Sequence, residues 1–198
     1  MMDILLEKEM LAAIGILFML TSYGIYIHSI FKGQTRPHPF SWFIWGLLTT
    51  IGFFAQISDG AGIGSIITLA SAFISFFIAG IGYIKRKNIT ISSSDKWAFV
   101  LSLLAIPLWI ITQTPLWSVI LITLIDVAGF YPTFRKSWHA PEQESVLSFT
   151  LGGFKHFFTI MALENYSIVT TLFPFSLVLS NFTLIAMIYV RKRQKSYV

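Results

Sequence analysis

No cysteine occurs among the 198 residues, so neither a disulfide framework nor a thiolate nucleophile enters any account of this chain. Charge is scarce too. Asp, Glu, Lys and Arg make up 12% of the residues, about half the share of a soluble domain. The basic excess of five does not mark a nucleic-acid surface, because the charges sit between long apolar runs and not along one soluble face. HExxH, GxSxG and a pair of intramembrane aspartates are all missing, so the chain is not read as an enzyme and no cofactor or metal is expected. What is plentiful is apolar surface: 55% of the residues are hydrophobic and 16% aromatic, the composition of a membrane protein.

Seven apolar runs follow one another: Leu11–Phe31, Phe40–Ile57, Ile63–Ile84, Trp97–Thr112, Leu116–Phe134, Val146–Leu163 and Ile168–Val190. Most approach the ~20 residues a helix needs to cross the hydrocarbon core. Trp42, Trp97, Trp117, Trp138, Tyr166 and Tyr189 lie near run ends, where amphipathic rings sit at headgroup level. The opening MMDILLEKEM is net acidic, unlike the basic start of a cleavable signal, so the first run is kept as a span.

Charge sets the orientation. With seven spans, twelve of the fourteen Lys and Arg residues fall on one side, from Lys32 and Arg36 through Arg135 and Lys136 to the RKRQK tail. Lys8 lies on the other side and Lys155 within a span. The opposite loops, SDGAG, TQTP and ENYS, carry neither Lys nor Arg. The positive-inside rule makes the basic side cytoplasmic, with the N-terminus outside and the chain in the plasma (inner) membrane. The tail reads as a lipid-contacting cluster.

The stretch Ser22–Ile57 shares its design with Leu124–Leu163: an apolar segment, a short basic loop, a Ser-plus-aromatic start and a second apolar segment. Gly24, Tyr26, Phe31 and Lys32 correspond in order to Gly129, Tyr131, Phe134 and Arg135 once a two-residue length difference is allowed. Phe40-Ser41-Trp42 then falls over Leu147-Ser148-Phe149, and Gly46 on Gly153. Aligning Lys85 with Arg191 places Ser75-Phe76 over Asn181-Phe182. Both basic loops must face the cytoplasm, and three helices per unit would invert the second copy. One extra helix restores it. The expected fold is therefore all-α and integral to the membrane, with seven helices in a 3+1+3 plan. Residues 1–90 form the first triplet, 91–113 a linker helix and 114–198 a second, parallel triplet with its basic tail.

This plan, the N-out topology and the Tyr26-to-Phe31, basic-loop, Ser-aromatic pattern resemble the SWEET, SemiSWEET and PQ-loop transporters, with PnuC-type vitamin transporters as near neighbours. The Pro-Gln pair of that family is replaced by Ile27-His28 and Pro132-Thr133. The resemblance implies alternating access between two triplets. It also implies a substrate-contacting Asn on the third and seventh helices, a role that Asn181 matches and from which Ser75 departs. The alternative function is a membrane receptor or scaffold built on a similar fold, which needs no polar cavity.

Polar residues inside spans are costly and face partners or a cavity. Thr68, Ser71 and Ser75 share a face of the third helix, and Trp45, Thr49, Gly52 and Gln56 one of the second. Gly152, His156 and Thr159 line the repeat equivalent, and Asn181 shares a face with Thr170 and Pro174. Asn181, Ser75, Trp45, Thr49, His156 and Ser71 are the candidate substrate contacts, suited to a small neutral polar solute. Packing and back-bonding to helix carbonyls is the competing role for each hydroxyl. The in-helix prolines Pro132 and Pro174 are candidate hinges. Asp126 and Lys155 both sit ~14 Å from the basic side by helical rise, a depth that suggests an interhelical ion pair or gate. His38 and His139, in basic loops beside Glu142 and Glu144, read as solvated imidazoles.

The orientation is open to direct test. A phosphatase reporter that works only outside the cytoplasm, fused after Val198, is expected to stay silent. Activity from that fusion would reverse the topology.

Overall fold

The computed structural model describes residues 2–85, 92–103, 107, 111 and 114–195, and every regular element among them is helical. The helices are α1 (Met2–Phe31), α2 (Pro39–Ser58), α3 (Gly64–Ile84), α4 (Ser93–Leu103), α5 (Pro115–His139), α6 (Val146–Met161) and α7 (Ile168–Lys195). A 3-10 turn, Pro141–Gln143, precedes α6. Five of them, α1, α2, α3, α5 and α7, are long and apolar enough to cross a membrane. At 16 residues α6 is apolar but spans only about 24 Å, less than the ~30 Å hydrocarbon core. The expected fourth span, Trp97–Thr112, falls largely outside the described residues; its described beginning lies in α4.

Local chemistry sets the helix ends. Gly33, at φ 73°, takes the left-handed conformation that stops α1, and the amides of Gly33 and Gln34 return to the carbonyls of Ile30 and Ser29. Pro39 and Pro115 open α2 and α5 at the first-turn position, where a missing N–H costs nothing. Ser145 caps α6 by accepting from the Ser148 amide, and Ser167 and Thr170 exchange side-chain-to-amide bonds at the start of α7.

The bundle buries polar side chains beside its hydrophobic core and turns large apolar side chains outward. Ser22, Thr49, Ser71, Ser75, Lys155 and Asn181 are buried, whereas Leu17, Phe73, Leu124 and Leu179 are more than half exposed. A surface of that kind is matched by lipid and not by water.

The helices pack in a regular order. α3 lies against α2 and α1, and α7 lies against α6 and α5. The two groups meet chiefly through α1 on α6 and α2 on α5, with lesser contacts of α3 on α6 and α2 on α7. Exchanging α1, α2, α3 for α5, α6, α7 leaves this set of neighbours unchanged. α4 breaks the pattern by packing on α5 and α2, with Phe99 stacked on Phe40 at 4.8 Å.

Both groups also run the same way. At one end Lys136 donates to the Arg36 carbonyl at 2.8 Å, Arg191 to the Trp138 carbonyl at 3.1 Å, and the Lys85 ammonium lies over the Phe31 ring. The basic ends of α1, α3, α5 and α7 therefore share one face. At the other end Ser167 donates to Asp59 at 2.5 Å, Asn165 to the Asp59 carbonyl at 3.0 Å, and Glu164 accepts from the Ile63 amide.

Two glycines let the third helix of each group approach. A Cβ on Gly46 would lie 2.8 Å from the Phe76 ring, and one on Gly153 would lie 2.9 Å from the Phe182 ring. Gly80, also helical, has nothing within 4 Å. Gly46→Ala and Gly153→Ala are each expected to destabilise the detergent-solubilised protein, since overpacking costs ~1–3 kcal/mol. Gly80→Ala is expected to be neutral or to gain up to ~1 kcal/mol from helix propensity. Unfolding curves in which all three variants move together would reject the contact.

Candidate functional site

A cavity of about 50 Å³ lies among α1, α2, α3, α5, α6 and α7. That is room for a few waters and not for a bound metabolite without some separation of the helices. Lys155, which lines it, is about 14 Å along α6 from Val146, so the cavity sits well inside the bundle. The six expected contact residues, Trp45, Thr49, Ser71, Ser75, His156 and Asn181, all line this one space.

The lining comes in corresponding positions. Trp42 faces it from α2 and Phe149 from α6; Trp45 and Gly152, then Thr49 and His156, follow at successive turns of the same two helices. Ser71 with Leu177 and Ser75 with Asn181 do the same on α3 and α7. The Gly46–Phe76 and Gly153–Phe182 contacts explain the last pair. Each ring is seated against bare backbone, and the residue just before it is thereby turned toward the cavity.

Most hydroxyls are already engaged as donors. Thr49 bonds the Trp45 carbonyl at 2.5 Å, Ser71 the Ile67 carbonyl at 2.7 Å and Ser75 the Ser71 carbonyl at 2.8 Å. This is the back-bonding of Ser and Thr in membrane helices, and it leaves each oxygen able to accept, as Ser71 does from Lys155 Nζ at 3.2 Å. Asn181 also spends one N–H on its own helix, donating to the Leu177 carbonyl at 2.7 Å. Trp45 Nε1 is buried without a hydrogen-bond partner, and its ring packs on Phe130 at 4.7 Å and Trp42 at 5.0 Å. The space thus offers an indole donor, an amide oxygen and several hydroxyl acceptors between aromatic walls.

The expected Asp126–Lys155 ion pair is not formed. Equal depth was the basis for the pairing, but helical rise fixes depth and says nothing of rotation or of which helices are neighbours. α5 and α6 pack on α7 and on opposite helices of the other group instead of on one another. Lys155 Nζ donates to Tyr23 Oη at 3.0 Å and Ser71 Oγ at 3.2 Å, and lies 4.7 Å from the centre of the Tyr23 ring. Asp126 is fully buried on α5, outside the cavity lining, with neither oxygen hydrogen-bonded.

Other expectations shift as well. Trp42, placed at a membrane interface by its position in the chain, is buried in the cavity wall, because its indole N–H bonds Tyr26 Oη at 3.2 Å. His38 is not a solvated loop imidazole: it is 1% exposed, edge-on to Phe40. Pro132 and Pro174 both lie buried within continuous helices. Pro174 deprives the Thr170 carbonyl of its intrahelical donor, and Gln56 Nε2 supplies one from α2 at 3.3 Å. Gln56 therefore satisfies the carbonyl that Pro174 leaves open in α7.

Tyr23, Tyr26, Ser22 and Ser148 also line the cavity, although none of them was a candidate substrate contact in the sequence. Spacing held a signal for α1: Ala12, Gly15, Met19, Ser22, Tyr23, Tyr26, Ser29 and Ile30 are buried, at intervals of three and four. From Tyr26 a hydrogen-bonded chain leads outward. Trp42 donates to Tyr26, Tyr26 to Glu144 at 2.8 Å, and Glu144 pairs with Lys136, which also holds the Arg36 carbonyl. Comparison with protein-family models, with curated proteins and with solved structures returns no match.

Separate surroundings for the two charges make a quantitative prediction. Breaking a buried pair costs ~3–5 kcal/mol, whereas residues with no shared partner add to within ~0.5 kcal/mol. Asp126→Asn, Lys155→Met and the double variant are expected to be additive in thermal or denaturant unfolding. Rescue of one substitution by the other would restore the ion pair.

Proposed function

We propose that this protein is a membrane transporter that carries a small polar metabolite, sugar-like or vitamin-like in size, by alternating access between two parallel three-helix units. In this reading α1–α3 form one unit, α5–α7 the other, and α4 begins the linker, giving the 3+1+3 plan. The N-terminus faces outward and the basic loops face the cytoplasm across the plasma (inner) membrane. The resemblance to SWEET and PQ-loop transporters belongs to the same proposal, as do Pro132 and Pro174 as hinges.

One observation carries the reading: the cavity is walled by corresponding residues of both units, five pairs from Trp42 with Phe149 to Ser75 with Asn181. A space on the axis between two like halves is widened on one side by the same rocking that narrows it on the other. The contacts at its two ends are of the kind such rocking must exchange. On the basic side they are Tyr26–Glu144–Lys136, and on the far side Asp59–Ser167 and Gln56–Thr170. A scaffold would need no buried polar space of this kind.

Purified protein in proteoliposomes is expected to take up at least one solute from a panel of sugars, nucleosides and vitamins in saturable fashion. Asn181→Ala should lower that uptake at least tenfold, because it removes the amide oxygen from the cavity while Leu177 and Phe182 keep their packing. Full uptake by a folded, inserted Asn181→Ala protein would take this residue out of the site. Absence of flux for every solute tried would favour the scaffold.

A further inference from the structure

Lys155 is a cation in a place that supplies no anion. The residue is 3% exposed, and its two hydrogen-bond partners, Tyr23 and Ser71, are hydroxyls and not carboxylates. An ammonium has three N–H groups, so one remains without a protein acceptor among the described residues. The acids that contribute to the bundle are accounted for elsewhere. Glu144 is held by Lys136 and Tyr26 at the basic end; Asp59 and Glu164 are bonded to Ser167 and Ile63 at the far end. Asp126 lies on α5 outside the cavity lining.

An ammonium in a water-poor interior without a counter-charge is costly, and such groups persist where a pathway or ligand uses them. The corresponding residue of the other unit, Leu48, is apolar and 0% exposed, so the packing itself does not call for a charge at this position. The rest of the lining is aromatic on one side, from Trp42, Trp45, Phe130 and Phe149, with the free Trp45 Nε1 and Asn181 Oδ1 beyond it.

We propose that the cavity, widened by separation of the helices, binds a small organic monoanion whose carboxylate completes the coordination of Lys155, with its body between the aromatic walls and a hydroxyl or carbonyl group, where it has one, toward Trp45 and Asn181. This assignment rests on the transporter reading and narrows its solute. A single cation selects one negative charge, and burial makes the carboxylate–ammonium contact far stronger than it is in water. A neutral sugar would leave that cation unmatched.

The test uses the full-length protein with L-lactate and benzoate as probes and glucose and glycerol as neutral controls. Counterflow of labelled lactate into proteoliposomes is expected, competed by benzoate and unaffected by glucose. Lys155→Met should lower it at least tenfold, and Lys155→Arg should keep a measurable part of it. Because Lys155→Met removes two buried hydrogen bonds, its folding is followed separately by thermal unfolding in detergent. Lactate and benzoate should raise the wild-type melting temperature and leave that of a folded Lys155→Met protein unchanged. If that protein responds to both anions as the wild type does, the assignment fails. If Lys155→Met does not fold, Lys155→Arg decides: no carboxylate uptake by a stable Lys155→Arg protein overturns it. Uptake of glucose or glycerol without either carboxylate overturns the anion and leaves the transporter standing. No flux of any solute, neutral or anionic, overturns both.

Discussion

Two phenylalanine rings resting on two glycines govern much of this bundle. Phe76 of α3 and Phe182 of α7 fill the space that a side chain at Gly46 or Gly153 would occupy. Such close backbone approach is how membrane helices gain contact energy when lipid is as apolar as their own side chains. The contact also fixes rotation. With the ring held against α2 or α6, the preceding residue, Ser75 or Asn181, turns toward the cavity, and the positions one turn away follow it. Packing and polarity are set together by one small residue on each side.

The second constraint is the absence of water as a hydrogen-bond partner at depth. Ser71, Ser75 and Thr49 meet it by bonding carbonyls of their own helices, and Gln56 meets it for the carbonyl that Pro174 orphans. Trp45 Nε1 and the Asp126 oxygens do not meet it. Ser41, Thr123, Ser137 and Gln56 Oε1 are open as well, so the bundle satisfies many hydroxyls locally and leaves unmet polarity both at depth and near helix ends.

Much of this was legible in the sequence because membrane insertion is governed by local rules. Apolar run length located the long helices, and Gly46 over Gly153 with Phe76 over Phe182 emerged from residue order alone. The six cavity residues were found because a polar side chain on an apolar helix is conspicuous. What the sequence could not give was the azimuth between non-adjacent helices. Asp126 and Lys155 matched in depth, yet α7 and the opposite unit lie where contact between α5 and α6 would have been needed. Tyr23 and Tyr26 were hidden for another reason: tyrosine serves equally as lipid-facing bulk, membrane-interface anchor and cavity wall, and only three-dimensional context separates these. Trp42 was misplaced by the same ambiguity.

Leu48 and Lys155 occupy corresponding turns of α2 and α6, and this inequality has a consequence for how such a site can be assembled. Two identical three-helix subunits related by a dyad would carry either two leucines or two lysines at the centre. Two ammonium groups facing one another in a dry interior repel strongly, and two leucines give no charge at all. A single charge near a two-fold axis is available only when the two halves are free to differ, as they are within one chain. On the repeat reading, covalent linkage does more than hold the halves together: it permits an odd charge number at the centre, which no symmetric pair of separate subunits can reach.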